Sequence, residues 1–262
     1  MITMNARPKY AVAGRTVMTE PNEQPADPAA VAAAFGATSA VLLGSGGYGD
    51  TYMVADVPGI GSSCAVKLLK PASYDQHRAE REMDGMRRFT GPGAARLLEV
   101  RTLDVSGEER VALVCEFIPG GNVQQRIDKG NLPNFRQLRK FAVGLLKTIA
   151  QLHGGDACHR DIKPLNILLR DGKWSQPVLI DFGMYRVITD PTITALGAHV
   201  GSWPYMPPEH LRGDLSGKAA DVWACGVTLH TLATDWRRER CGWCESAPES
   251  HSDGFCRRRS RC

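Results

Sequence analysis

Residues 158–183 read Cys-His-Arg-Asp-Ile-Lys-Pro-Leu-Asn-Ile-Leu-Leu, then a linker, then Leu-Ile-Asp-Phe-Gly, so that Asp161, Lys163, Asn166 and Asp181 fall inside one short stretch. Two carboxylates and a carboxamide offer oxygen ligands to hard divalent cations, and a lysine offers positive charge to phosphate. Phosphoryl transfer asks a protein for little more: metal ions on oxygen ligands, a carboxylate beside the attacking hydroxyl and positive charge on the phosphates.

Upstream, residues 43–54 read Leu-Gly-Ser-Gly-Gly-Tyr-Gly-Asp-Thr-Tyr-Met-Val, with Gly44, Gly46 and Gly49 in the spacing G-x-G-x-x-G. Glycine lets backbone approach phosphate oxygens with no side chain between them. The residues after Gly49 alternate like a second strand instead of opening an amphipathic helix, which disfavours a dinucleotide-binding turn. Cys64 to Lys70 then reads as a strand carrying Lys67. A buried lysine needs a carboxylate, and Glu82 and Glu80 are the candidates on the stretch that follows, where Met83, Met86 and Phe89 recur at helical spacing.

The first stretch resembles the catalytic and magnesium loops of the protein kinase family, H-R-D-L-x-x-x-N followed by D-F-G, with Ile162 in place of Leu. The resemblance implies that Asp161 is the base or orienting group for a substrate hydroxyl, that Asn166 and Asp181 hold the metal ions, and that Lys163 neutralises the transferring phosphate. It also implies that Gly44, Ser45, Gly46, Gly47 and Gly49 cover the nucleotide and that Lys67, held by Glu82, reaches its phosphates. Thr51 stands where the family carries Val. Residues 111–121 resemble the fifth strand and hinge, where the backbone of Glu116 and Ile118 would meet adenine, Cys115 would guard the back of the pocket and Asn122 would come next as a further contact. Leu43, Ala65 and Leu168 would sandwich the base.

Residues 201–209 resemble the end of an activation loop, with Pro207 for the usual Ala and closed by Glu209, and Asp221-Val222-Trp223 resembles the start of the next long helix. Lys163, two residues after Asp161, and Ser202 favour serine and threonine acceptors over tyrosine. Arg160 offers a docking charge to a phosphorylated loop, with Thr192 and Thr194 as candidate phosphosites. The implied fold is α+β and bilobal, with a small β-rich N-lobe and a helical C-lobe lacking its last helices. The implied activity is transfer of the ATP γ-phosphoryl group to protein serine or threonine, with Mg2+. Two alternatives stand beside it: a nucleotide-binding or scaffolding module impaired by an incomplete C-lobe, and the small-molecule kinases, which usually lack the Lys163-Pro164 pair and the Pro-Pro-Glu segment.

Residues 1–36, with Pro8, Pro21, Pro25 and Pro28 among polar residues, are expected as a disordered leader without a signal peptide. The kinase-like domain spans 37–234, its N-lobe about 37–117 and its C-lobe about 121–234. Pro28 to Gly49 carries no charge, but its Ala, Gly, Ser and Thr content argues against a membrane span. A net charge of +4 and 43% apolar residues fit a globular chain with no nucleic-acid partner. Cys64, Cys115, Cys158 and Cys225 read as buried free thiols of a reducing, cytoplasmic compartment.

The last 28 residues, 235–262, form an irregular tail with no Val, Ile, Leu, Met or Lys, seven Arg and four of the eight Cys. A frameshifted or truncated continuation is favoured. A zinc site from Cys241, Cys244, Cys256 and Cys262 ranks low, since only the first pair has a metal-ligand spacing. A disordered basic tail is the third reading.

Overall fold

The computed structural model describes residues 24–71, 76–184, 186–187, 202–211 and 217–234. Their first element is α1 (Pro28–Phe35), which corrects the expectation of a disordered leader through residue 36. Asp27 caps it by accepting a hydrogen bond from Ala29 N, Pro28 supplies a preset φ at its first turn, and Gly36 ends it at φ +61. Val31 and Phe35 are buried in the core of the neighbouring sheet, and the Arg101 guanidinium lies 5.5 Å over the Phe35 ring. The polar, proline-rich approach hides this helix, although Asp27 and Pro28 at its start, Gly36 at its end and the apolar Val31 and Phe35 all favour it.

That sheet is antiparallel, in the order β1-β2-β3-β5-β4: β1 (Ser39–Ser45), β2 (Gly49–Ala55), β3 (Cys64–Leu69), β4 (Leu97–Val105) and β5 (Glu108–Glu116). Cross-strand partners share a face. Tyr52 opposite Val66 and Val54 opposite Cys64 bury one face in a core with α1, while Thr51 opposite Lys67 and Met53 opposite Ala65 present the other face to the cleft. The helix α2 (Gln76–Arg88) lies between β3 and β4 in sequence.

The second lobe is mainly helical. α3 (Val123–Asp128) and α4 (Phe135–Gly154) both begin with capping boxes, Asn122 with Gln125 and Asn134 with Gln137. Four short strands come next, paired as β6 (Ala157–Cys158) with β9 (Arg186–Val187) and β7 (Ile167–Leu169) with β8 (Pro177–Leu179). α5 (Pro208–Leu211) and α6 (Lys218–Thr234) complete the described residues. Phe141, Leu145, Ile149 and Leu152 recur at helical spacing on α4 and bury against Cys225 and Leu232 of α6. The same core continues through Phe182 and Phe89 into α2, so a single apolar body spans both lobes and the hairpin strands between them. Among the described residues no helix is long and apolar enough to cross a membrane. The 235–262 tail lies outside them.

Candidate active site

Lys67 projects from the cleft face of β3, and its Nζ lies 2.6 Å from Glu82 Oε1 on α2 and 3.3 Å from Asp181 Oδ1. Burial opposes the lysine charge, yet the two carboxylates outweigh it and hold the ammonium above the usual lysine range. Glu80, the competing acid, is exposed on α2. Asp181 sits at φ +63, a conformation that non-glycine residues seldom adopt, and also accepts from Gly183 N at 3.4 Å. The next residue, Phe182, is fully buried, its ring 4.9 Å from His159 and 6.2 Å from Phe89. Phe89 comes directly after α2, so the position of Asp181 is tied to the helix that carries Glu82.

The second cluster is the segment from His159 to Asn166. Asn166 Nδ2 donates at 2.9 Å to both the backbone oxygen and Oδ2 of Asp161. Lys163 Nζ lies 3.0 Å from Asp161 Oδ2 and donates to Ser202 Oγ at 2.6 Å, while Ser202 donates to Asp161 Oδ1 at 3.0 Å. The carboxylate is thus held at both oxygens by three side chains. A carboxylate has about four lone-pair sites, so Oδ1 retains a place for another donor.

What holds this segment in shape is Asp221, the fully buried carboxylate in the first turn of α6. It accepts from His159 N at 2.9 Å and from Arg160 N at 2.8 Å, and its Oδ2 lies 2.9 Å from His153 Nε2. Arg160 itself takes φ +68. Asp161 N donates to His159 Nδ1 at 3.3 Å, and the other ring nitrogen meets the Ile180 carbonyl at 3.2 Å. The sequence motif places Asp221 only at a helix start, and no local pattern points to the two backbone N–H groups about 60 residues away that it accepts from.

Between the lobes Cys115 is buried at the end of β5, and its thiol is pushed up to about 12, mainly by burial and then by Glu82. Glu116 pairs with Arg170, which begins the turn between β7 and β8. Burial alone would raise the Glu116 carboxyl, but that guanidinium holds it below the usual carboxylate range. Ile118 packs with Ala95 and Val178, with Leu168 against the same cluster. Gly120 comes next at φ +120, where a Cβ would collide with the Leu169 oxygen, so only glycine lets the hinge lie against β7. Asn122 bridges Leu168 through its backbone, and its side-chain oxygen is taken by Gln125 N.

Leu43, Gly44 and Ser45 end β1, Gly46 and Gly47 form the tip, and Gly49 and Thr51 open β2, with Thr51 opposite Lys67 and Ala65 two residues along the same face. Leu43 is exposed and Ala65 half-buried. Thr192 and Thr194 lie outside the described residues. Cys64, Cys115, Cys158 and Cys225 are free thiols and all buried.

The family model described as "Protein kinase domain" matches residues 38–238. The chain is 33% identical over 197 residues to "Probable serine/threonine-protein kinase PkwA" of Thermomonospora curvata, covering 73% of this chain and 25% of that protein. It is 31% identical over 194 residues to "Serine/threonine-protein kinase SAPK1" of Oryza sativa subsp. japonica, covering 72% and 54%. It is 32% identical over 210 residues to "Serine/threonine-protein kinase B" of a Synechocystis strain, covering 74% and 36%. The chain therefore spans about half or less of the length of these relatives. A lysine, glutamate and aspartate meeting across a cleft between a five-stranded sheet and a helical lobe agree with that match, and the chain belongs to the protein kinase family.

Proposed function

We propose that this chain transfers the γ-phosphoryl group of ATP to serine or threonine hydroxyls of proteins, with Mg2+ as its divalent ion. The observation that carries the reading is the contact between Lys67 and Asp181: residues 114 apart in sequence lie 3.3 Å from each other, facing one cleft. Lys67 would sit on the nucleotide phosphates, and Glu82 keeps its charge in place when it does. The glycine-rich turn would lie over the same phosphates, while the backbone of Glu116 and Ile118 would meet the adenine edge.

The donor set suits a hard cation. Asp181 presents a carboxylate, and Asn166, whose nitrogen donates to Asp161, would offer its carboxamide oxygen to a ligand. Bound there, Mg2+ would neutralise phosphate charge. The chain's own groups would do the rest. The acceptor hydroxyl oxygen forms the new bond to phosphorus, the bond from phosphorus to the bridging oxygen breaks with ADP leaving, and the hydroxyl proton passes to Asp161. Lys163, already 3.0 Å from that carboxylate, would offset charge on the phosphoryl oxygens. Activation-loop phosphorylation at Thr192 or Thr194, docking on Arg160, is part of the same reading.

The test is Asp161→Asn, assayed with γ-labelled ATP on serine-, threonine- and tyrosine-containing peptides. Transfer should fall by about 10²- to 10⁴-fold while nucleotide binding stays as in the wild type. Unimpaired turnover in that variant would overturn the assignment. A wild-type chain that binds ATP with Mg2+ and transfers nothing would make it a nucleotide-binding scaffold instead.

A further inference from the structure

At the root of the glycine-rich turn lies a buried ionic cluster outside the set of residues facing the cleft. Asp50 pairs with Leu68 across β2 and β3 and so shares its face with Tyr52, Val54 and the packed core, opposite to Lys67 and Thr51. It is only 1% exposed. Ser45, its cross-strand partner on β1, donates to Asp50 Oδ1 at 2.5 Å, and Lys70 Nζ lies 3.5 Å from the same oxygen and 3.4 Å from Ser45 Oγ. Asp50 Oδ2 has no hydrogen-bond partner among the described residues.

A carboxylate in an apolar core is costly, and a half-satisfied one more so than an apolar residue of similar size. What it adds here is geometric. The two limbs of the turn leave the sheet at Ser45 and Gly49, and one lysine beyond the end of β3 touches both limbs, at Ser45 Oγ and at Asp50 Oδ1. Backbone contacts repeat the pattern: Lys70 N donates to the Tyr48 oxygen at 3.2 Å and Gly46 N to the Gly49 oxygen at 3.0 Å. Gly49 rests so closely on β3 that a Cβ there would stand 2.8 Å from the Leu68 oxygen. A turn with four glycines in six residues, Gly44 to Gly49, has much conformational freedom to lose when it closes on a ligand.

We propose that Ser45, Asp50 and Lys70 form a clasp that presets this turn for the nucleotide's phosphates. Asp50 and Lys70 are then positioning residues: they touch no substrate, and they lower the ordering needed on binding. This inference rests on the nucleotide-binding reading of the cleft.

Calorimetric titration of the wild type, Asp50→Ala, Lys70→Met and the double variant with ATP plus Mg2+, and separately with adenosine, tests it. Each single variant should weaken ATP about tenfold, the effect of losing one charge-assisted contact. Adenosine, which has no phosphates, should bind all four proteins alike. The double variant should bind ATP no more weakly than the singles, because either substitution opens the clasp. Equal weakening of ATP and adenosine would mean a merely structural role and overturn the proposal, as would unchanged ATP binding. Should Asp50→Ala fail to fold, Lys70→Met, just beyond the end of β3, carries the same comparison. A wild type that binds neither ligand would remove the nucleotide reading of the cleft and this inference with it, an outcome distinct from the others.

Discussion

Glu82 Oε1 stands 2.6 Å from Lys67 Nζ, and this one contact links the helix α2 to the cleft face of the sheet. Fifteen residues separate the two in sequence, and the same ammonium continues to Asp181 in the other lobe. The lysine is charged in a buried place because two carboxylates reach it at once.

Replacing Glu82 with Gln should therefore lower the Lys67 pKa, since burial would then face Asp181 alone. A raised lysine pKa contributes stability that is complete below the unfolded value of about 10.4 and is lost as pH rises through the higher folded value. In Glu82→Gln that contribution should be smaller and its loss complete at lower pH. Rates of Lys67 acylation between about pH 8 and 11, spanning the ordinary lysine range and read by mass spectrometry, check this; a wild-type rate profile in the variant would contradict it.

Asp221→Ala should destabilise the fold by about 3 kcal/mol, because it leaves the buried N–H groups of His159 and Arg160 without an acceptor, each worth about 1–3 kcal/mol. The loop bearing Asp161 would loosen with it, although Asp221 contacts no reacting atom. Urea unfolding followed by two probes reads the loss, and a midpoint equal to wild type would refute the anchoring role.

The thiols make a third prediction. Burial pushes Cys115 up to about 12 and Cys158 and Cys225 up to about 11, the last two with a further push from Asp221. Only thiolates alkylate readily. At about pH 8, near the ordinary thiol range, these three cysteines should resist iodoacetamide in the native protein and react fully in denaturant, as peptide mapping would report.

Much of the site is legible in the sequence, for reasons that can be named. Asp161, Lys163 and Asn166 lie within six residues and touch one another on one short loop, so local spacing carries their relationship. The family resemblance, with Met83, Met86 and Phe89 following at helical spacing, selects Glu82 over Glu80, and the fold sets Glu82 against Lys67 while Glu80 is exposed. The helix at Pro28–Phe35 escapes such a reading because a proline-rich polar approach hides three capping signals.

The pairing of Glu116 with Arg170, the Asp221 anchor and the Asp50–Lys70 cluster have no comparable signal. Their partners lie 54, about 60 and 20 residues apart, and an isolated Arg, Asp or Lys reads as a solvated charge until something buries it. Residue type and spacing determined the chemistry available: glycines that let backbone approach phosphate, oxygen donors for a cation, and one lysine needing a counter-charge. Tertiary structure alone decided which charges are buried and which meet. A chain's local pattern records distances of a few residues, whereas the energy of a desolvated ion depends on whatever the fold brings within about 4 Å of it.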